Sequence, residues 1–171
     1  MPTQSVMEWV SERRYCRRMS STLVCRIAGW SDLPAVIGLL SDDELGRTRN
    51  PVLVDAEQAY SNAFAAMVDQ VDNNVIVAEL DGRIVGCYQL TFIRGLSHGG
   101  GERAQVESVR IASDLRGGGL GSDLMRDAID RARSRGCFLV QLTTDTRRLT
   151  TQHFYERLGF ATTHYGMKLF L

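Results

Sequence analysis

The sequence has no excess of charge of either sign, because 20 lysines and arginines are matched by 20 aspartates and glutamates. A chain balanced in this way has no overall field that would draw it to nucleic acid or to an anionic membrane surface. We therefore expect neither a nucleic acid nor a membrane as a partner.

Long apolar runs are also missing. The longest clearly apolar stretch, residues 33–40, is interrupted by Pro34 and Gly38 and is far shorter than the roughly 18 residues that span a bilayer. The first residues lack the order of a signal peptide, since their arginines follow the weakly apolar part instead of preceding it. The sequence predicts a cytoplasmic protein without a transmembrane helix.

Cysteine is scarce and dispersed. The four cysteines form no C-x-x-C pair and have no histidine at the spacing of a metal site: Cys16, Cys25, Cys87 and Cys137. Each is expected to be a reduced, small hydrophobic residue of a strand or helix. Neither a disulfide nor a bound metal is predicted.

The 171 residues, 44% of them hydrophobic, are enough for one domain with a full core. Residues 1–21 differ from the rest, because they carry four arginines against two glutamates and little apolar periodicity. We expect them to be an appended extension, disordered in part. A single domain is predicted over residues 22–171.

Apolar periodicity within this domain alternates between the strand and helix periods. It predicts strands over residues 23–27, 75–80, 84–93, 104–111, 137–142, 160–163 and 167–171, and helices over 33–40, 55–69, 120–135 and 151–158. Asp81-Gly82 is the turn expected between two tightly joined antiparallel strands. The order β-α-α-β-β-β-α-β-α-β predicts an α/β fold with a mixed sheet flanked by helices.

A glycine loop lies between a predicted strand and a predicted helix. Four of its five positions are glycine: Gly117, Gly118, Gly119 and Gly121. Such a loop can be a flexible turn, or its N–H groups and those of the helix start can bind a phosphate. It is not a P-loop, because no lysine follows Gly121, and it does not fit the G-x-G-x-x-G dinucleotide fingerprint.

Two ordered motifs resemble the GNAT N-acetyltransferase superfamily. Arg116-x-x-Gly119-x-Gly121, after an apolar strand with an acidic residue, resembles its acetyl-coenzyme A motif, and F-Y-E-R-L-G-F at 154–160 resembles its F-Y-x-x-x-G-F signature. The resemblance covers residues 22–171. It implies a mostly antiparallel sheet, acetyl-CoA as co-substrate, and direct acetyl transfer in a ternary complex to an amine of a small molecule or a protein.

The resemblance also implies which residues hold the cofactor. The pyrophosphate site would consist of the Arg116 side chain and the backbone of Gly117, Gly118, Gly119, Leu120, Gly121 and Ser122. The pantetheine arm would pair with the backbone of the strand that holds Val109 and Ile111. The sequence departs from the family at Arg148 and Thr151, where relatives often have asparagine and alanine. Arg147 and Arg148 could reach coenzyme A phosphates or be solvated.

Two residues are candidates for catalysis. Glu107 matches a glutamate that many relatives use as general base, and it could instead face solvent or pair with an arginine. Tyr155 matches the family's general acid, placed to protonate the departing thiolate, and it could instead be a core tyrosine. Asp42, Asp43 and Glu44 could attract a cationic acceptor amine or be helix caps and solvated charges.

Three further expectations follow from the resemblance. The chain could be a noncatalytic module that binds acyl-CoA for sensing, or it could use another acyl-CoA. A homodimer is also expected, because relatives often pair through their C-terminal strands. The sequence does not identify the acceptor.

Overall fold

The computed structural model describes residues 14–18, 21–42 and 56–171. The described strands are β1 Arg14–Arg18, β2 Ser21–Ile27, β3 Asn73–Leu80, β4 Arg83–Arg94, β5 Glu102–Ile111 and β6 Leu139–Leu142. The described helices longer than one turn are α1 Leu33–Ser41, α2 Ala56–Val68, α3 Leu120–Arg135 and α4 Leu149–Arg157. Short helical turns at Trp30–Asp32, Ser97–Gly100 and Ser113–Leu115 join these elements.

The six strands form one sheet in the order β1-β2-β3-β4-β5-β6. All neighbours are antiparallel except β5 and β6, which run parallel. The turn between β3 and β4 has positive φ at Asp81 (51°) and Gly82 (81°), as a tight hairpin requires. The predicted mixed, mostly antiparallel α/β fold is confirmed.

Helices cover both faces of the sheet. On one face, Leu124, Met125 and Ala128 of α3 are completely buried against β4 and β5, and α4 packs beside them. On the other face, α1 and α2 pack through Val36 and Phe64 against Val77 and Cys87. The sheet is therefore the middle layer of three, with helices packed on each of its two faces.

A buried polar network joins α3 to the sheet. The Tyr88 hydroxyl donates to Asp127 Oδ2 at 2.5 Å, and Arg131 Nε donates to the same oxygen at 2.7 Å. From their i, i+4 spacing alone, Asp127 and Arg131 are expected to pair on the solvent side of α3, and that location is wrong. The pair lies on the buried side because the Tyr88 hydroxyl and the Cys25 carbonyl supply polar partners there.

The C-terminal segment departs from the prediction. Residues 159–171 form neither a strand nor a helix, so the strands predicted at 160–163 and 167–171 are wrong. Tyr165, Met167, Leu169, Phe170 and Leu171 are almost fully exposed. An alternating apolar pattern shows that a segment is suited to a sheet, but it becomes a strand only where a sheet edge accepts its hydrogen bonds.

Part of the predicted N-terminal extension is a strand. β1 pairs with β2 in a register that runs from Arg14↔Cys25 to Arg18↔Ser21. Residues 1–13 and 19–20 lie outside the described residues, and the division of the chain into extension and domain stays a prediction. No helix within the described ranges is long and apolar enough to cross a membrane.

Candidate active site

The glycine loop and the start of α3 form an exposed nest. Gly117 and Gly119 have φ of 77° and 88°, conformations that favour glycine, and Gly119 directly precedes the helix. Ser122 N–H donates to the Gly119 carbonyl at 3.0 Å. The N–H groups of Leu120 and Gly121 have no acceptor within a helix that begins there, so they face the loop and can bind an anion.

Arg116 holds this loop to the end of α1. Its guanidinium donates to the Ile111 carbonyl at 3.0 Å, to the Asp42 carbonyl at 2.7 Å and to Asp42 Oδ2 at 3.2 Å. Asp42 Oδ2 also accepts from Ser113 N–H at 2.8 Å. Asp42, one of three residues predicted to attract the acceptor, therefore binds Arg116 and Ser113 at the glycine loop. The other two, Asp43 and Glu44, lie outside the described residues.

A slot opens in the sheet next to the loop. β5 and β6 pair from Arg103↔Leu139 to Val106↔Leu142, where β6 ends, but β5 continues to Ile111. The backbone of residues 107–111 has no strand neighbour on this side among the described residues. The slot runs along Val109 and Ile111, the residues predicted to pair with pantetheine, and their half-buried side chains pack on the core.

A β-bulge in β5 decides which side chains face α1 and α2. Gln89 lies opposite Glu107 and Cys87 lies opposite Arg110, so two steps along β4 match three along β5. Ser108, inside the bulge, has a φ of 53°. Without the extra residue, Glu107 and Arg110 would point to opposite faces; with it, both share the face of Gln89 and Cys87.

An apolar cavity of about 100 Å³ lies on that same face. Four aliphatic side chains of α1 line it together with Tyr60, Ala63, Phe64 and Met67 of α2. Gln89 and Ser108 line it from the strands, and none of the described lining residues is charged. Glu107 is exposed and is the partner of Gln89 across the strand pair. A carboxyl group therefore lies next to an apolar pocket.

Tyr155 lies in α4 on the other side of the sheet, packed against Phe154 and Phe160 with ring centroids 5.1 and 5.8 Å away. Burial raises the pKa of its phenol, and the positive charges of Arg110 and Arg148 act in the opposite direction. The phenol therefore keeps its proton at neutral pH and can donate it. The positive charge of Arg110 also acts to lower the pKa of Cys87, which lines the cavity. Arg110 therefore influences both the cavity and Tyr155.

Sequence analysis did not identify some residues of the site. Arg110, Gln89 and Ser108 reach it only through the bulge, although a charged residue between the apolar Val109 and Ile111 was a visible signal. Of the arginines proposed for coenzyme A phosphates, Arg147 is paired with Asp145 at 2.7 Å. Among the described residues, no group of His, Cys, Asp and Glu is arranged to hold a metal ion.

An anion nest at a helix start, next to the unpaired end of a parallel strand, is an arrangement that suits a long cofactor with a phosphate group. Residues 39–160 match the Acetyltransferase (GNAT) family, which covers more than half of the chain. The chain belongs to this family, as its two motifs indicated. Acetyl-CoA-dependent N-acetylation of a small molecule is the activity that this membership supports, with acetyl-CoA as co-substrate.

Named relatives agree with this assignment. The chain is 37% identical over 88 residues to glucosamine 6-phosphate N-acetyltransferase of Trypanosoma brucei brucei, a match that covers 52% of the chain and 58% of the relative. It is 28% identical over 108 residues to aminoalkylphosphonate N-acetyltransferase of Salmonella typhimurium, covering 63% of the chain and 70% of the relative.

A solved structure is similar over nearly its whole length. The crystal structure of a transcriptional regulator from Bacillus halodurans C-125 has a TM-score of 0.83 and 41% identity, covering 87% of this chain and 99% of the other.

Proposed function

We propose that the chain transfers the acetyl group of acetyl-CoA directly to the amine of a small molecule while both substrates are bound. The observation that carries this proposal is the slot along residues 107–111 of β5, beyond the end of β6, which runs from the bulge to the glycine nest. A coenzyme with its pyrophosphate at the nest and its arm in the slot would present its thioester beside Glu107. The reaction then needs only orientation and proton transfers, and orientation alone contributes about 7–11 kcal/mol in well-aligned reactions.

Each chemical step has a candidate group. The amine nitrogen attacks the thioester carbonyl carbon, and Glu107 accepts the proton lost by that nitrogen, directly or through a water. A backbone N–H of β5 in the slot stabilises the oxyanion of the tetrahedral intermediate. The carbon–sulfur bond then breaks, and Tyr155 gives its proton to the thiolate, so that the products are an amide and free coenzyme A. Val109 and Ile111, with residues 116–122, hold the cofactor.

The names of the relatives favour a small acceptor. Glucosamine 6-phosphate and an aminoalkylphosphonate each combine an amine with an anionic group of phosphorus. A small molecule with an amine and an acid is therefore the acceptor class with which screening should begin.

The decisive experiment is calorimetric titration with acetyl-CoA, followed by free-thiol release with a panel of amines, amino acids and lysine peptides. The proposal predicts one-to-one binding and thiol release that depends on the amine. A protein that binds no acetyl-CoA would contradict the assignment of the nest and the slot. Longer acyl-CoA thioesters in the same assay measure the acyl preference.

A second candidate function is acyl-CoA sensing without catalysis. It is favoured by the solved structure described as a transcriptional regulator, which is 41% identical to this chain. Tight acetyl-CoA binding without thiol release for any amine would support the sensing module and exclude the transferase.

We also propose a homodimer in the cytoplasm. The exposed apolar side chains of residues 165–171 and the outer edge of β6 need a partner surface, and a second copy offers the same two features. Cys87 and Cys137 form no disulfide with any described residue, which supports a reducing compartment. Light scattering of the full chain, compared with a chain ending at residue 160, tests the dimer.

A further inference from the structure

Arg110 is a half-buried cation without a counter-charge among residues 14–18, 21–42 and 56–171. Its Nη1 donates to the Val109 carbonyl at 2.9 Å, but its Nε is buried and has no hydrogen-bond partner. No carboxylate of the described residues lies within ion-pair distance of it. A buried donor left without an acceptor costs stability, so its retention in a half-buried position favours a role in binding.

The position of Arg110 relates it to the acceptor side. Because of the bulge, Arg110 and Glu107 lie on the same face of the sheet. Their partners across the strand pair are Cys87 and Gln89, and both of these line the cavity. Cys87 and Gln89 are two residues apart, so the two β5 residues stand about 7 Å apart along the sheet. A carboxyl group, an apolar pocket and a guanidinium therefore lie next to one another on one face of the sheet.

These three features have distinct chemical preferences. A guanidinium pairs best with a carboxylate or a phosphonate, in which two oxygens accept two parallel N–H donors. A cavity of about 100 Å³ suits a branched group of about three or four carbons, since an apolar cavity of about 150 Å³ binds benzene. Glu107 is at the position to accept a proton from an amine.

We infer that the acceptor is an α-amino acid with a small branched apolar side chain, or its phosphonate analogue, held by Arg110 through its acid group. Its side chain fills the cavity between α1 and α2, and its amine faces Glu107 and the thioester. This inference rests on the proposed N-acetyltransferase function and names its acceptor. Arg110 is thus a specificity-determining residue, and its pairing with the acid also satisfies its buried donor.

The test compares acceptors that differ in one group. Leucine and its phosphonate analogue keep the acid, leucinamide neutralises it, and 3-methylbutylamine lacks it. With saturating acetyl-CoA, kcat/KM from thiol release should be at least about tenfold higher for one of the two acids than for the amide and the amine. Amine basicity cannot cause this order, because the leucinamide amine loses its proton more readily than that of leucine.

Variants assign the preference to Arg110. Arg110→Gln should abolish the discrimination, mainly by raising KM for the acid, and leave the Kd for acetyl-CoA unchanged. Arg110→Lys keeps the charge but loses the paired donors, so it should retain part of the discrimination. The matched control is Arg103→Gln, at the other end of the same strand, which should keep the wild-type preference. Thermal unfolding of all three variants reports on folding.

The cavity has its own test. Ala63→Leu fills part of it from α2 and should lower kcat/KM for leucine more than for alanine. Ala66 lies exposed on the same helix outside the lining, and Ala66→Leu should leave the ratio of the two acceptors unchanged.

Several outcomes would overturn the inference. Equal activity on leucine and leucinamide in the wild type would remove the acid from recognition. An Arg110→Gln variant that loses kcat equally with every acceptor would assign Arg110 to the departing thiolate beside Tyr155. Thiol release only with amines that lack an acid would overturn this acceptor class and leave the transferase intact, whereas no release with any amine would overturn both.

Discussion

Tyr155 shows how its surroundings determine the chemistry of a single side chain. Burial against Phe154 and Phe160 raises the pKa of the phenol, which keeps it protonated until a stronger base is present. The positive charges of Arg110 and Arg148 act in the opposite direction, because they favour the phenolate.

At this scale, we predict that Tyr155→Phe lowers kcat by about 10²-fold or more, the usual contribution of a positioned acid. The ring packing is kept, so the Kd for acetyl-CoA and the unfolding midpoint should stay close to wild type. Thiol release under saturation and calorimetry provide the two values. Tyr165→Phe, in the exposed C-terminal segment, is the control and should not change kcat. If Tyr155→Phe has wild-type kcat, Tyr155 has no part in the proton transfer.

The glycine loop and α3 act together as one element. The loop turns the chain through positive φ at Gly117 and Gly119, which places the helix start, with its positive dipole end, next to the slot. Arg116 and Asp42 tie this element to α1, which lines the cavity. The glycine loop and a helix that lines the cavity are therefore linked by direct contacts.

We predict that Gly119→Asp weakens acetyl-CoA binding strongly, because it adds a negative charge to the anion nest and a side chain at a φ of 88°. Gly82→Asp is a matched control, since Gly82 has a φ of 81° in the hairpin between β3 and β4. Both variants should lose similar stability in thermal unfolding. A Kd for acetyl-CoA that is equally unaffected in both would show that the loop does not bind the cofactor.

At the scale of the whole molecule, ion pairs join the ends of elements that are distant in sequence. Glu102, where β5 begins, accepts from Arg135 of α3 at 2.8 Å and from Arg94 of β4 at 3.0 Å. Arg135 also pairs with Asp72 and lies 4.2 Å from the ring centroid of Phe92. This cluster closes the end of the sheet opposite the glycine loop.

The cluster predicts a pH dependence of stability. The hydrogen bonds of Arg135 are the main reason that the pKa of Glu102 is lowered from its ordinary 4.5. Because the pKa of Glu102 is lowered in the folded state, Glu102 makes its full contribution to stability above pH 4.5. This contribution is lost as the pH falls through the pKa of the folded state. Urea unfolding from pH 7 to pH 2 should show Glu102→Gln less stable than wild type at neutral pH, with the two converging in acid.

The control is Glu57→Gln, because Glu57 is exposed and has no ion pair among the described residues. The free energy of unfolding of this variant should change with pH in parallel with that of wild type over the whole range. A constant difference between Glu102→Gln and wild type at all pH values would mean that the effect of Glu102 is not electrostatic.

Much of the fold could be predicted because its signals are local. The Asp81-Gly82 turn, the stripe of α3 and its end at Gly136 each depend on residues close in sequence, and the structure has them at the expected places. Residues 167–171 have an equally good strand pattern and are not a strand. Their pattern shows an apolar side to be covered, but pairing depends on an edge elsewhere.

The candidate site divides in the same way. The nest at residues 117–122 could be read from the glycines, and Tyr155 and Glu107 from the motifs. Arg110 could not, because a simple period of two puts it on the face opposite Glu107. The bulge at Ser108 reverses this, and a bulge depends on the register between two strands.

The sequence by itself determined the family, the layered α/β class and the glycine loop, since each rests on motifs and periodic patterns that are local in sequence. Only the tertiary structure decided that Glu107, Arg110 and the cavity meet on one face, that Arg116 binds Asp42, and that Asp127 is buried. These outcomes depend on strand register and on helix packing, which bring together residues up to 106 positions apart. The proposed acceptor class rests on those long-range contacts, and so it could be inferred only from the folded chain.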